Sequence, residues 1–421
     1  MNKNHSGWRQ ALASLRARAA NTFASFDNRD FRVYSIGQFI SLIGTWMQSI
    51  ALAWVVYEMT RSPMTLGLVS FASTVPVLLL SWFAGGVADR FDRRRIIIIT
   101  QWLEMAQAGT LAVLTALHLL SVPLVIVLAL VLGVCSAFET PARQAFVADL
   151  VGKERLASAI GLNSALFNST RMFGPAVAGV AIATLGDSVC FALNALSYVA
   201  AVITLRMITA RHRQCVGCEK SPMRQQPLWP VLKSCGVVDV LYLVAAVSIF
   251  GFQISVLMPV ITDQVLHGKA PELGFLTAAM GIGALLGALT MASQRKIATV
   301  RRTSGWSTLA LGAGLTATAW AATMHMALAA IAAVGFCISL GLSGANFFVQ
   351  MSVPEEVKGR VMGVYSFFLI GLAPIGALMS GWLASAFGIQ ATLMLAASVC
   401  ALASVVYLRR ISALPDRDQG A

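Results

Sequence analysis

Charge is what this chain has least of. Only 12% of its 421 residues are Asp, Glu, Lys or Arg, about half the share in a soluble globular domain. Acidic residues are scarcer than basic ones, 18 against 31, and histidine occurs 5 times. No HExxH, GxSxG or phosphate-loop pattern occurs, and no His stands at catalytic spacing from a carboxylate, so no catalytic residues and no enzyme are expected. The 7 cysteines are scattered, mostly within apolar runs, which argues against a disulfide framework. Cys215 and Cys218 form a lone CxxC near His212; zinc would need further ligands, so neither metal nor cofactor is expected.

What is there instead is apolar surface: 57% of residues are hydrophobic and the mean hydropathy is +0.74. A bilayer-spanning helix needs about 20 mostly apolar residues. Runs of that kind centre on 34 to 56, 65 to 87, 96 to 117, 123 to 145, 159 to 184, 188 to 207, 239 to 264, 272 to 292, 305 to 323, 327 to 350, 362 to 386 and 390 to 408. The expectation is an all-α membrane protein with twelve transmembrane helices. With the amino terminus in the cytoplasm, every Lys and Arg falls on that side except Arg61, Lys269 and Arg171, the last lying inside a span. The positive-inside rule therefore places both termini and the central loop in the cytoplasm. The net charge of +13 is read as topology, not as a nucleic-acid partner. Residues 1–32 carry Lys3, Arg9, Arg16, Arg18 and Arg29 without an apolar core, so they read as a cytoplasmic lead-in rather than a signal peptide.

The chain repeats itself. Shifting it by 202 residues lays Gly161, Ser164, Gly174, Gly179 and Gly186 on Gly363, Ser366, Gly376, Gly381 and Gly388. The same shift pairs Gly133 and Cys135 with Gly335 and Cys337, and Gly85, Arg93 and Arg94 with Gly287, Arg295 and Lys296. Two six-helix bundles in parallel register follow, 33–208 and 238–410, joined by a linker at 209–237 and followed by a tail at 411–421. That layout suits alternating access around a midplane site.

Between the second and third runs stands GGVADRFDRRR, residues 85–95. It resembles motif A of the major facilitator superfamily, G-x-x-x-D-R-x-G-R-R/K, with Gly85, Asp89, Arg90, Arg93 and Arg94 in register and Asp92 in place of the second glycine. The resemblance implies a conformational latch in which Asp89 meets the positive end of a neighbouring helix and the arginines pair with Glu139. The other reading is a plain positive-inside anchor. Gly174-Pro175-Ala176-Val177-Ala178-Gly179 resembles motif C of exporters and implies close packing on the eighth span, with its Gly281, Gly283 and Gly287. The arginine of motif B is missing, because Ala129 stands four residues before Gly133. The runs FETPARQAFVADLVGKERLASAIGLNS and PEEVKGRVMGVYSFFLIGLAP resemble the bacterial branch that includes the enterobactin exporter. That resemblance implies the bacterial inner membrane, small-molecule cargo and monomeric action.

Polar residues inside spans are functional until shown otherwise. Arg171 falls about 20 Å into the fifth span, at bilayer mid-depth, with Ser164 and Asn168 on its face. The first span carries Gln38, Ser41, Thr45 and Gln48 on one face, and the tenth Ser339, Ser343, Asn346 and Gln350. With Arg171, Asn168 and Gln253 these are expected to line a substrate pathway, or else to hydrogen-bond between helices as packing contacts. Glu139, Glu104 and Asp263 are the candidate proton carriers, Glu139 ahead of Glu104 because the third span is peripheral in the implied fold. The function expected is proton-coupled export of a small amphipathic compound, a siderophore or a drug-like molecule. Import or uniport of a metabolite is the alternative, and a membrane scaffold or receptor the reading from another class.

Overall fold

The computed structural model describes residues 24–208, 228–294 and 297–412, without the side chains of some helical residues, among them Ser164, Asn168 and Arg171. The expected lead-in up to residue 23, Cys215 and Cys218 with most of the linker, Arg295 and Lys296, and the tail from residue 413 lie outside it. The described residues form helices and no strand.

Helix α1, Arg29–Thr60, starts where the Asn28 side chain accepts from the Asp30 and Phe31 amides at 2.9 and 3.3 Å. It stops at Arg61, whose left-handed backbone (φ 50°) turns the chain at once into α2, Pro63–Arg90. Asp92 caps α3, Arg93–Ala116, by accepting from the Arg94 and Arg95 amides at 2.9 and 3.4 Å. Its departure from the glycine of motif A thus supplies an N-cap. Helix α4, Val122–Gly152, ends in a kink at Gly152 (φ 72°), beyond which the helix continues as α5, residues 153–185. Then come α6, Asp187–Met207, and α7, Val237–Ser255, which loosens into a π turn at Val247–Gly251 and a 3-10 turn at Phe252–Ser255. The second half continues with α8, Ala270–Ala292, α9, Ile297–Ala319, α10, Met324–Ser352, α11, Val357–Phe387, and α12, Ile389–Ser412.

Ten of these helices are long and apolar enough to cross a membrane; α5 and α9 are the exceptions. Residues matched by the 202-residue shift share geometry. Gly186 and Gly388 have φ of 85° and 83°, and their amides bond Ile182 and Ala384 carbonyls at 3.0 and 3.1 Å.

Helices α1 to α6 pack on one another, as do α7 to α12, and the two groups meet mainly through α5 with α8 and α2 with α11. These junctions depend on absent side chains. A Cβ on Gly274 would lie 2.7 Å from the Gly179 Cα, and one on Gly381 3.0 Å from the Gly67 Cα. Both contacts lie toward the end of the molecule that carries Arg61 and Asp263. There the Asp263 carboxylate accepts from the Tyr57 hydroxyl at 2.8 Å and pairs with Arg61 at 3.0 Å, and the Met64 amide donates to Ser385 Oγ at 2.9 Å. At the opposite, basic end Gly85, Gly86, Gly161, Gly359 and Gly363 face open space. Among the described residues one apolar cluster joins the two groups toward the Arg61 end, whereas at the basic end each group keeps its own, so the molecule is closed at one end and parted at the other.

The motif C resemblance had implied contact with Gly281, Gly283 and Gly287. Helix α8 is indeed the partner of Gly179, but through Gly274; Gly283 and Gly287 are spent against α10, at Ala332 and Phe336. Gly174 lies under the Trp46 side chain of α1.

Candidate functional site

Inside the first group of helices lies a cavity of about 150 Å³. Helix α1 lines it with Gln38, Ser41 and Thr45, α3 with Gln101 and Glu104, α4 with Ser136, Glu139, Thr140 and Arg143, and α6 with Tyr198. Helical spacing puts these groups together: Gln101 and Glu104 are one turn apart on α3, as are Glu139 and Arg143 on α4. Glu104 is 5% exposed and Glu139 3%, so both carboxyls are in the protein interior. Gln101 Nε2 donates to Glu139 at 2.9 Å and to Glu104 at 3.3 Å, while Arg143 pairs with Glu139. Three buried polar atoms of lining residues have no partner: Gln38 Nε2, Gln101 Oε1 and Arg143 Nε. Thr140, exposed, stands at the rim.

This arrangement corrects several expectations. In this state Glu139 pairs with Arg143 rather than with the motif A arginines, whose expected latch belongs to the outward-facing state. Arg93 instead grips both oxygens of Asp149, at 2.8 and 2.7 Å, and Arg94 donates to the Arg206 carbonyl at 3.0 Å. Asp89 and Arg90 are exposed at the splayed end and Gly85 touches nothing there. Helix α3, expected to be peripheral, brings Glu104 into the same cavity as Glu139. Asp263 is in no such cavity; it is half-buried and committed to Tyr57 and Arg61 at the closed end.

The α1 stripe is the largest revision. Gln38, Ser41 and Gln48 are buried within the first group rather than turned toward the second. Gln48 donates to Gln107 at 3.0 Å and accepts from Asn194 at 2.8 Å, and Thr45 reaches the Tyr198 hydroxyl at 3.5 Å. Gln253 is likewise structural: its amide donates to the Ser248 carbonyl at 2.8 Å and the Ala373 carbonyl at 3.2 Å, serving backbone that the broken α7 and α11 leave unpaired. On α10, Gln350 donates to Asn346, with Gln350 exposed and Ser343 half-buried. The side chains of Asn168 and Arg171 lie outside the described residues.

Sequence reasoning missed Gln101, Arg143, Tyr198 and Asp149. For Arg143 the signal was present, since an Arg one turn after a Glu near a span end can pair inward as readily as point at a membrane surface.

A helical membrane protein of two matching halves that touch at one end and part at the other, with buried ionisable groups inside the first half, has the build of a transporter. Residues 20–421 match the sequence profile of the transmembrane secretion effectors, and the chain belongs to that family of the major facilitator superfamily. It is similar to the staphyloferrin A transporter of Staphylococcus aureus, 27% identical over 364 residues, 84% of this chain and 89% of the relative. It is equally similar to the multidrug efflux pump Tap of Mycolicibacterium fortuitum, 27% identical over 369 residues, with 83% and 88% covered. The crystal structure of the nucleoside transporter NupG shares its fold, with a TM-score of 0.71 at 11% identity over 91% of this chain and 99% of that one.

Proposed function

We propose that the chain is a twelve-span, proton-coupled exporter of a small amphipathic organic compound, working as a monomer in a bacterial inner membrane by alternating access. The observation that carries this reading is the asymmetry between its ends. Close glycine contacts and the Arg61–Asp263 pair join the halves at one end, while the motif A end is parted, with Gly85 against open space. On the charge map the parted end is cytoplasmic, so the structure corresponds to the state that receives cargo from inside. Motif A, whose Asp89 and Arg90 are exposed here while Arg93 holds Asp149 within the same half, is then the latch of the opposite state. Two six-helix bundles, at 33–208 and 238–410, rock about the junctions of α2 with α11 and α5 with α8. The buried carboxyls Glu104 and Glu139 are its proton carriers, and the names of the relatives, a siderophore transporter and a drug efflux pump, suggest the cargo class.

Proteoliposomes loaded with ethidium test this. Efflux is expected to rise several-fold when a pH gradient is imposed, and equal rates with and without the gradient would refute coupling. A cysteine replacing Pro63 should react with a membrane-impermeant maleimide from outside intact cells, and one replacing Gln226 only after the membrane is opened. The reverse pattern would overturn the orientation.

A further inference from the structure

We propose that the cavity within the first bundle is a one-proton site, shared by Glu104 and Glu139, positioned by Gln101 and separate from the path of the cargo. This rests on the proton-coupled reading above.

Size makes the first argument. A drug-sized ligand occupies a pocket of roughly 300 Å³ or more, whereas about 150 Å³ holds about five waters at liquid density. Among the described residues the lining is also drawn from α1, α3, α4 and α6, with none from the second half. A cargo handed between two halves would touch both.

Charge makes the second. Among the described residues the charged groups facing the cavity are Glu104 from α3 and Glu139 and Arg143 from α4. Helix α6 adds the Tyr198 phenol, α4 the nearby Cys135 thiol, and α1 only the uncharged Gln38, Ser41 and Thr45. With both carboxyls ionised Glu104, Glu139 and Arg143 together carry one net negative charge in the membrane interior, which one added proton removes. A metal ion is a poor candidate for that role. Gln101 Nε2 already sits between the carboxylates and donates to each, so an N–H stands where a bridging cation would need oxygen on every side. That shared amide also holds the carboxylates close enough to titrate as a pair. The unpartnered Gln38 Nε2, Gln101 Oε1 and Arg143 Nε can order water between the pair and the rim at Thr140. Loading is then a proton passing from water to a carboxylate oxygen, and unloading is its return to water after the halves have rocked. No other bond changes.

Infrared titration of the full chain in phosphatidylethanolamine–phosphatidylglycerol vesicles reads the site without a known cargo. Referenced to the double variant Glu104→Gln with Glu139→Gln, so that the chain's other carboxyls and the lipid esters cancel, the parent should show a carboxylic-acid carbonyl band growing in one step as pH falls, unmoved when choline replaces sodium. Glu104→Gln and Glu139→Gln should each abolish it, because either remaining carboxylate then has Arg143 to itself. Gln101→Leu, or the unbranched Gln101→Met if Leu is not accepted, should displace the step by about one pH unit or divide it in two. A band that survives either Glu→Gln change, a sodium-dependent shift, or a parent-like curve in the Gln101 variants would overturn the proposal. Ethidium efflux on the same vesicles separates the two readings. Efflux indifferent to the pH gradient removes proton coupling altogether, whereas gradient-driven efflux with an unchanged Gln101 titration removes only the shared site.

Discussion

Arg143 shows how much depends on one side chain inside a membrane. It pairs with a carboxylate that is 3% exposed, and its own Nε finds no partner. Removing one member of a buried ion pair leaves the other charge uncompensated, at a cost of about 3–5 kcal/mol, whereas removing both can be neutral. Arg143→Leu is therefore expected to lower thermal stability in detergent sharply, and the double variant Arg143→Leu with Glu139→Gln to recover most of the loss. Equal destabilisation by the single and double changes would show that Arg143 acts by packing alone. Sequence reasoning reached Glu139 but not this pairing, because an apolar run has no sharp end. An Arg near the end of a span reads as a surface charge until its partner is seen. The stripe on α1 misled for a related reason. Spacing of three and four residues says that Gln38, Ser41, Thr45 and Gln48 share a face, but which neighbour that face meets is settled by packing, and here α3 and α6 claim it.

At the scale of helices the sequence was far more legible. Hydropathy finds spans because a bilayer admits only helices of a set length, and the breaks at Gly152, Gly186 and Gly388 combine positive φ with extended ψ, which glycine alone accepts without strain. Helix α9 falls short of the apolar standard, and a hydropathy scan cannot separate a span that faces other protein from one that does not cross. Glycines at the helix junctions carry a testable opposition. A side chain on Gly274 meets the backbone at Gly179 and Pro175, which cannot yield as a flexible side chain would, whereas one on Gly85 meets nothing in this state. Gly274→Leu should hold the Arg61 end open, and Gly85→Leu should hold it closed. Spin labels on Arg90→Cys and Gly359→Cys report the difference. Their separation is expected to shorten with Gly274→Leu and to keep the parted distance with Gly85→Leu, and the same distribution in both would mean that these glycines do not gate the halves.

The whole molecule must leave the closed arrangement once in every cycle, so the fastening at that end has to be light. Arg61 and Asp263 have side chains 60% and 32% exposed, and a pair so wetted and screened contributes little. Asp263→Asn should accordingly shift the balance of states by no more than about fivefold, read as faster labelling of a cysteine at Ser385. A shift of a hundredfold would make the pair, not the glycine contacts, the principal fastening. The confinement of the polar cavity to one half has a wider consequence. If the proton site proposed above is the engine, the other bundle is free to drift in shape and chemistry without losing its supply of energy. Inheritance could thus fit new cargoes to an old motor by altering one half of the gene, and exchanging second halves between relatives is the breeding experiment that such a division invites.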